Sequence, residues 1–118
     1  MATLALDESN FGPALEENEI VLVDFWAGWC GPCRMFAPVY EAASERHQDV
    51  VFGKVDTEAA PDLAGGFGIR SIPTLMAFRD QVLVFAQPGA LRAPALDELI
   101  GKVKDLDMDE VLRQLEAA

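Results

Sequence analysis

The two cysteines of the chain, Cys30 and Cys33, are separated by one glycine and one proline, Gly31 and Pro32. At this spacing the two sulfur atoms can close a small disulfide ring. Proline is favoured at the first position of a helix, so we expect a helix to begin around Pro32. This places Cys30 at the start of the helix and Cys33 within its first turn. A C-x-x-C pair before a helix is a redox motif, so the segment predicts thiol–disulfide exchange.

The helix start gives the two cysteines different roles. A helix N-terminus carries partial positive charge and free N–H groups, and both favour a thiolate at Cys30. We therefore predict that Cys30 is the exposed nucleophile. Cys33 is predicted to lie deeper and to resolve the mixed disulfide that Cys30 forms with a substrate. Pro32 stiffens the turn, and Gly31 lets a partner backbone approach closely.

A cysteine pair can also belong to a zinc site or to an inert core. A zinc site needs four ligands, and the chain offers only His47 besides the cysteines, at the far end of the predicted helix. A zinc site within one chain is therefore disfavoured, while one shared between subunits stays a remote alternative. Inert core thiols are disfavoured by the turn residues and by the neighbouring Trp29. We expect no metal.

The strands and helices that must position the cysteine pair alternate along the chain. Apolar runs predict five strands, and helical spacing with N-terminal signals predicts four main helices. The strands are expected at 3–6, 20–26, 50–55, 74–79 and 82–86, and the helices at 11–17, from about 32 to 48, 60–67 and 93–104. This order predicts an α/β fold with a central mixed β-sheet flanked by helices on both faces.

Two details of these elements are less regular. The helix after Pro32 is expected to bury an apolar face of five residues: Met35, Phe36, Val39, Ala42 and Ala43. The last two strands are joined at Asp80-Gln81, a hairpin turn without glycine whose type the sequence leaves uncertain.

Asp24 interrupts an otherwise apolar strand, where an ionised carboxylate is costly. Burial is expected to raise its pKa and to let it exchange a proton near neutral pH. An aspartate pointing to solvent is the alternative, and we favour the buried one because the neighbouring residues are apolar.

The bulk composition limits the partners. The chain of 118 residues has a formal net charge of −11, which disfavours nucleic acid and anionic membranes as partners. Its N-terminal residues lack a basic region followed by an apolar stretch, and no apolar run approaches the length of a spanning helix. We therefore expect a cytoplasmic protein, in which a cysteine pair is catalytic, redox-sensing or metal-binding rather than a structural staple.

Several segments resemble the thioredoxin family in order and spacing. They are the stretch 24–38 with Trp29-Cys30-Gly31-Pro32-Cys33, Lys54-Val55-Asp56, the stretch 68–75 with Ile72-Pro73-Thr74, and Gly89-Ala90-Leu91. The resemblance covers roughly residues 4–103. It implies the thioredoxin fold and a protein-disulfide reductase without a bound cofactor. Its electrons would come from NADPH through a flavoprotein, thioredoxin reductase, and its substrates would be protein disulfides. We expect a monomer.

The resemblance also implies roles for residues outside the cysteine pair. Asp24 would assist proton transfer to and from Cys33, and Lys54 would lie near that carboxylate, although an ordinary surface lysine is an equal alternative. A cis peptide is implied between Ile72 and Pro73, with the Ile72 backbone pairing with an extended substrate. Trp29, Gly31, Pro32, Ile72, Pro73, Gly89 and Ala90 would form the substrate-binding rim, with Pro88 at a position where the family often has a β-branched residue.

The chain continues past the region of resemblance. Residues 1–106 are interpreted as the thioredoxin domain, and 107–118 as a helical extension packed on it. The extension begins with a capping-box pattern from Asp107 to Glu110. Two further functions remain open on the same fold, a disulfide oxidase or isomerase and a binding module without turnover. The Gly31-Pro32 dipeptide resembles that of the reducing members.

Overall fold

The computed structural model describes residues 2–117. Within them lie five strands and five helices: β1 (Thr3–Ala5), α1 (Phe11–Glu17), β2 (Ile20–Trp26), α2 (Gly31–Arg46), β3 (Val51–Asp56), α3 (Pro61–Gly66), β4 (Thr74–Arg79), β5 (Val82–Pro88), α4 (Ala93–Lys104) and α5 (Met108–Ala117). The predicted bounds of α1, β2, β4 and α4 agree with the structure. The other predicted elements differ from it by one or two residues at one or both ends.

The strands form one mixed sheet in the order β1-β3-β2-β4-β5. Strands β1, β3 and β2 are parallel, whereas β4 runs antiparallel to β2 and to β5. Strand β2 therefore lies in the middle, and its carboxyl end lies beside the start of β4, where Phe25 is opposite Thr74. This confirms the predicted fold class and brings the loops after β2 and before β4 to the same edge of the sheet.

Helices cover both faces of the sheet. On one face, α2 and α4 pack on a cluster of buried residues that includes Leu22, Phe36, Tyr40, Leu75 and Ile100. On the other, α1 and α3 contribute to a cluster that includes Phe11, Val23, Phe25, Ala64 and Phe78. Successive residues of β2 point to opposite faces, so Asp24 shares the α2 face with Leu22.

The buried face of α2 differs from the predicted one. Met35 is 77% exposed and Ala42 is also exposed, so the prediction was wrong for these two residues. Cys33 and Tyr40 are buried instead. At about 100° per residue, Met35 and Ala42 lie on the side of the helix opposite Cys33. The helix therefore buries the face that carries Cys33 and Tyr40 together with Phe36 and Ala43.

The hairpin between β4 and β5 has a two-residue turn. Asp80 and Gln81 have φ angles of 51° and 68°, and Arg79 is paired with Val82. Positive φ at both central positions defines a type I′ turn, which suits the twist of the flanking strands. Two residues other than glycine thus occupy the left-handed region.

Arg79, at the end of β4, joins that strand to the C-terminus of α4. Its Nη1 donates to the carbonyl oxygens of Val103 at 2.7 Å, Lys104 at 3.0 Å and Leu106 at 3.3 Å. Its Nη2 lies 3.1 Å from a carboxylate oxygen of Glu19. The half-buried guanidinium therefore satisfies carbonyl groups that the end of α4 leaves without helical partners.

The C-terminal extension forms α5, and the Glu110 N–H donates to Asp107 Oδ1 at 3.2 Å, as in one half of a capping box. Among its described residues none is buried, and Leu112 and Leu115 are 44% and 55% exposed. Met108 and Val111 are half-buried. The predicted division at residue 106 and the packing of the extension stay predictions.

Candidate functional site

A disulfide between Cys30 and Cys33 lies at the carboxyl edge of the sheet, directly after β2. The two Cα atoms are 5.2 Å apart, within the usual range for a disulfide. Cys30 is the N-cap of α2, and Pro32 is in the first turn, as the sequence predicts. The spacing and Cα separation of the pair are therefore those of a redox-active C-x-x-C motif.

The sulfur of Cys30 takes the place of a capping oxygen. The backbone N–H of Cys33 donates to Cys30 Sγ at 3.2 Å. This N–H is one of the groups that a helix N-terminus leaves free, and a hydrogen bond to sulfur favours its anionic form. The two cysteines differ in this respect: Cys30 accepts the cap bond and Cys33 donates it.

The prediction that Cys30 is more exposed than Cys33 is wrong for the disulfide-bonded protein. Cys30 is 4% exposed and Cys33 is 3% exposed. The neighbouring loop accounts for the burial of Cys30, because Cys30 Sγ lies 3.7 Å from the carbonyl oxygen of Ile72. The two cysteines are thus distinguished by hydrogen bonding and by neighbours rather than by exposed area.

The loop before β4 lies against the disulfide. The Ile72–Pro73 peptide is cis, as the sequence resemblance implied. Pro73 is buried, and its carbonyl oxygen accepts a 2.7 Å hydrogen bond from the N–H of Gly89. Gly89 has a φ of +104°, a conformation that favours glycine. In residues 2–117, Ile72 takes part in no backbone–backbone hydrogen bond, so its N–H and carbonyl are free to pair with another chain.

An exposed rim surrounds these contacts. Trp29 is 69% exposed. Pro32, Gly89 and Ala90 are also exposed, and Gly31 and Ile72 are half-buried. Of the seven predicted rim residues, six are therefore exposed or half-buried, while Pro73 is buried beneath them.

Asp24 lies beneath this surface, fully buried on the α2 face of the sheet. Among residues 2–117, no protein group hydrogen-bonds to either of its carboxyl oxygens. Burial raises the pKa of Asp24 to about 7, and the positive charge of Lys54 acts in the opposite direction. The carboxyl group can therefore gain or lose a proton near neutral pH, as the sequence predicts.

Lys54 is the cross-strand neighbour of Asp24 in the parallel pairing of β2 with β3. Its ammonium lies 4.9 Å from the ring centroid of Trp26, a cation–π distance. It also lines a cavity of about 340 Å³ together with Thr3, Ala5, Trp26, Glu41 and Asp56. Lys54 thus lies between the buried carboxyl group and a cavity that opens on solvent.

The sequence prediction missed Tyr40, which is fully buried on α2. Its hydroxyl donates to the carbonyl oxygen of Gly53 at 2.8 Å, beside Lys54. Burial raises the pKa of the Tyr40 hydroxyl well above its ordinary value, and the nearby Asp24 carboxylate raises it further. The spacing of seven residues from Cys33 would have placed Tyr40 on the same side of the helix.

A metal site is not found in the part of the chain that the structure describes. No group of three or more histidine, cysteine, aspartate and glutamate side chains within residues 2–117 is arranged to hold an ion. The Nε2 of His47 lies 2.8 Å from Asp97 Oδ1, at the opposite end of α2 from the disulfide. No helix among the described residues is long and apolar enough to cross a membrane.

Three kinds of comparison with known proteins identify the same family, the one that the sequence resembles. The family model named Thioredoxin matches residues 2–104. "Putative thioredoxin 2" of Streptomyces coelicolor is 61% identical over 110 residues, which is 93% of this chain and 82% of that protein. Thioredoxin of Mycobacterium tuberculosis is 43% identical over 109 residues, or 90% of this chain and 94% of that protein.

Solved structures agree. A thioredoxin mutant from Halobacterium salinarum superposes with a TM-score of 0.82 at 34% identity, over 88% of this chain and 92% of that chain. A Plasmodium falciparum thioredoxin gives a TM-score of 0.79 at 35% identity, over 85% and 98%. The matched segment includes the cysteine pair and all five strands. This chain belongs to the thioredoxin family.

Proposed function

We propose that this protein is a protein-disulfide reductase in which Cys30 is the nucleophile and Cys33 the resolving thiol. The observation that carries the proposal is the position of Cys30 Sγ, which caps α2 and lies 3.7 Å from the free backbone carbonyl of Ile72. A substrate strand that paired with Ile72 would bring its own disulfide beside this sulfur.

The reaction has two exchange steps. In the reduced protein, the Cys30 thiolate attacks one sulfur of a substrate disulfide, the substrate S–S bond breaks, and the other substrate sulfur leaves as a thiolate. The Cys33 thiolate then attacks Cys30 Sγ, and the second substrate sulfur leaves. The substrate gains two electrons and two protons, and the Cys30–Cys33 disulfide forms.

Asp24 supplies a proton route to Cys33 in this scheme. Cys33 must lose its proton before it attacks Cys30, and the Asp24 carboxylate can accept it at neutral pH because burial raises the pKa of Asp24 to about 7. Asp24 is buried on the face of the sheet that α2 covers, and Cys33 is buried in the first turn of α2. Lys54, paired across the strands with Asp24, would stabilise the carboxylate once it has formed.

The rim supplies the docking surface. Trp29, Gly31, Pro32, Ile72, Gly89 and Ala90 are exposed or half-buried, carry no charge and lie above the buried Pro73, so the surface next to Cys30 offers apolar contacts and backbone hydrogen bonds. The exposed indole of Trp29 provides apolar contact area, and the Ile72 backbone provides hydrogen bonds.

We infer a monomeric cytoplasmic protein that binds no cofactor and is reduced with electrons from NADPH by a flavoprotein, thioredoxin reductase. The absence of a dinucleotide-binding fingerprint in the sequence supports an external electron source. The net charge of −11 supports protein partners rather than nucleic acid or anionic membranes.

One coupled assay tests the proposal. The oxidised protein is mixed with NADPH, a bacterial thioredoxin reductase and insulin as the disulfide substrate, and loss of NADPH is followed. We expect sustained turnover that disappears in Cys30→Ser. No turnover beyond a single oxidation of NADPH would indicate a binding module. A reduction potential as oxidising as about −120 mV would indicate an oxidase instead.

A further inference from the structure

The positive charges of this acidic chain are distributed unevenly over the fold. Five of its nine lysines and arginines lie within ion-pair distance of a carboxylate: Arg46, Arg79, Lys102, Lys104 and Arg113. Among residues 2–117, Arg34, Arg70 and Arg92 form no such pair and no side-chain hydrogen bond, and all three are exposed. Their guanidinium groups are therefore available to a partner.

Each of these three arginines lies within three residues of a predicted rim residue in the sequence. Arg34 follows Cys33, and Arg70 lies two residues before Ile72. Arg92 lies three residues after Gly89, whose N–H donates to Pro73. The sequence has no aspartate or glutamate in 25–40, 63–79 or 81–96, so each segment carries its arginine without a compensating acid.

The backbone adds charge of the same sign. Helix α2 begins at the disulfide and α4 begins just after Gly89, and neither has an acidic residue in its first turn. Arg92 is the N-cap of α4, makes no side-chain cap bond and has no acceptor atom with which to make one. A cation at this end of a helix opposes the helix dipole. Helix stability therefore does not explain arginine at this position.

Acidic residues at the same edge of the sheet lie on the other side of the disulfide. Asp56 is the last residue of β3 and Glu58 lies two residues beyond it, and β3 and β4 are on opposite sides of β2. Arg70, before β4, and Arg92, after β5, thus lie on one side of β2, whereas Asp56 and Glu58 lie on the β3 side. Such an arrangement can orient a charged partner as well as attract it.

We propose that the surface around Cys30 selects protein disulfides flanked by acidic residues, and that Arg70 and Arg92 recognise those residues. The proposal rests on the proposed reductase function and specifies its substrate class. Exposed charges are screened over about 10 Å at 0.1 M salt, so they act mainly on the rate of encounter. The net charge of −11 on the whole molecule would by itself favour basic substrates. The local arginines and the net charge therefore predict opposite orders of reactivity.

The test uses three synthetic peptides with the same intramolecular disulfide and with aspartate, asparagine or lysine at the flanking positions. Each peptide is mixed with the reduced protein in buffer that contains either 20 mM or 500 mM NaCl. The reaction is quenched with acid, and the reduced peptide is measured by mass spectrometry. We expect the aspartate peptide to react about fivefold faster than the asparagine peptide at low salt, and at nearly the same rate at high salt. The lysine peptide should be the slowest.

Variants assign the effect to particular residues. Arg70→Gln with Arg92→Gln should abolish the preference for the aspartate peptide, whereas Arg70→Lys with Arg92→Lys should retain most of it. Lys102→Gln serves as the control, because it removes one positive charge, as each Arg→Gln substitution does, about 15 Å from Arg92 along α4. It should leave the preference intact.

The possible failures are distinguishable. If the lysine peptide reacts fastest, or if the double glutamine variant keeps the preference, this inference is wrong while the reductase function stands. If reduced wild-type protein leaves the asparagine peptide oxidised, the reductase function itself is wrong, and the selection inferred from it is wrong with it.

Discussion

Replacement of Asp24 by asparagine tests the buried carboxyl group. The group is fully buried, and its pKa of about 7 compares with an ordinary value of 3.8. Well below pH 3.8 the carboxyl group is protonated in both the folded and the unfolded chain, and it has no effect on stability. Between these two values the folded chain holds a proton that the unfolded chain has released, so stability falls as pH rises. Above pH 7 the loss is complete.

The size of the loss follows from the two pKa values. Each unit of difference corresponds to about 1.4 kcal/mol, so the ionised Asp24 is expected to lower the free energy of unfolding by about 4 kcal/mol at pH 8.5. Asparagine cannot ionise. The free energy of unfolding of Asp24→Asn minus that of the wild type should therefore increase by about 4 kcal/mol between pH 4 and pH 8.5.

Urea titration of both oxidised proteins at several pH values measures this difference. Any constant effect of the amide cancels, because only the change with pH is compared. Glu58→Gln removes an exposed carboxyl group and serves as the control, with an expected change below about 0.5 kcal/mol. If the free energy of unfolding of Asp24→Asn minus that of the wild type changed by less than about 1 kcal/mol across this pH range, the raised pKa of Asp24 would be refuted.

The same variant tests the catalytic role. We expect Asp24→Asn to reduce protein disulfides more slowly at neutral pH and to lose the inflection near pH 7 in its pH–rate profile, because Cys33 no longer has a proton acceptor. A profile identical to that of the wild type would exclude Asp24 from proton transfer, even if the stability result held.

Three further predictions concern the scaffold, and urea unfolding checks each of them. Gln81→Gly should raise the free energy of unfolding by about 0.5–1 kcal/mol, because glycine adopts the φ of +68° without steric cost; a loss would contradict the type I′ turn. Arg79→Met should lower it by about 2 kcal/mol, because three carbonyl groups lose a charged donor, and an unchanged value would show that water replaces Arg79 equally well. Truncation after Asp107 should lower it by about 1 kcal/mol, from the half-buried Met108 and Val111, and no loss would contradict packing of the extension on the domain.

The sequence was most informative where local pattern and tertiary position agree. Strand β2 is apolar throughout except for Asp24, so both its bounds and the unusual aspartate could be recognised. The cis peptide before Pro73 was available only from the resemblance to the thioredoxin family, because most peptide bonds before proline are trans.

The remaining features depend on contacts between distant segments. Met35 and Ala42 are apolar, but α2 buries its opposite face, which carries Cys33 and Tyr40, and leaves these two residues exposed. Cys30 is buried by Ile72, which lies 42 residues further along the chain. The type I′ turn at Asp80 and Gln81 follows from the twist of the flanking strands rather than from its own residues.

Trapping of the mixed disulfide is the most direct test of the assignment of Cys30 and Cys33. Reduced Cys33→Ser and reduced Cys30→Ser are each incubated with a disulfide-bonded protein such as insulin, and the products are analysed by non-reducing mass spectrometry. We predict a stable covalent adduct on Cys30 in Cys33→Ser and little or none on Cys33 in Cys30→Ser. Equal adducts on both variants, or an adduct only on Cys33, would contradict the roles that the helix N-cap gives to the two cysteines.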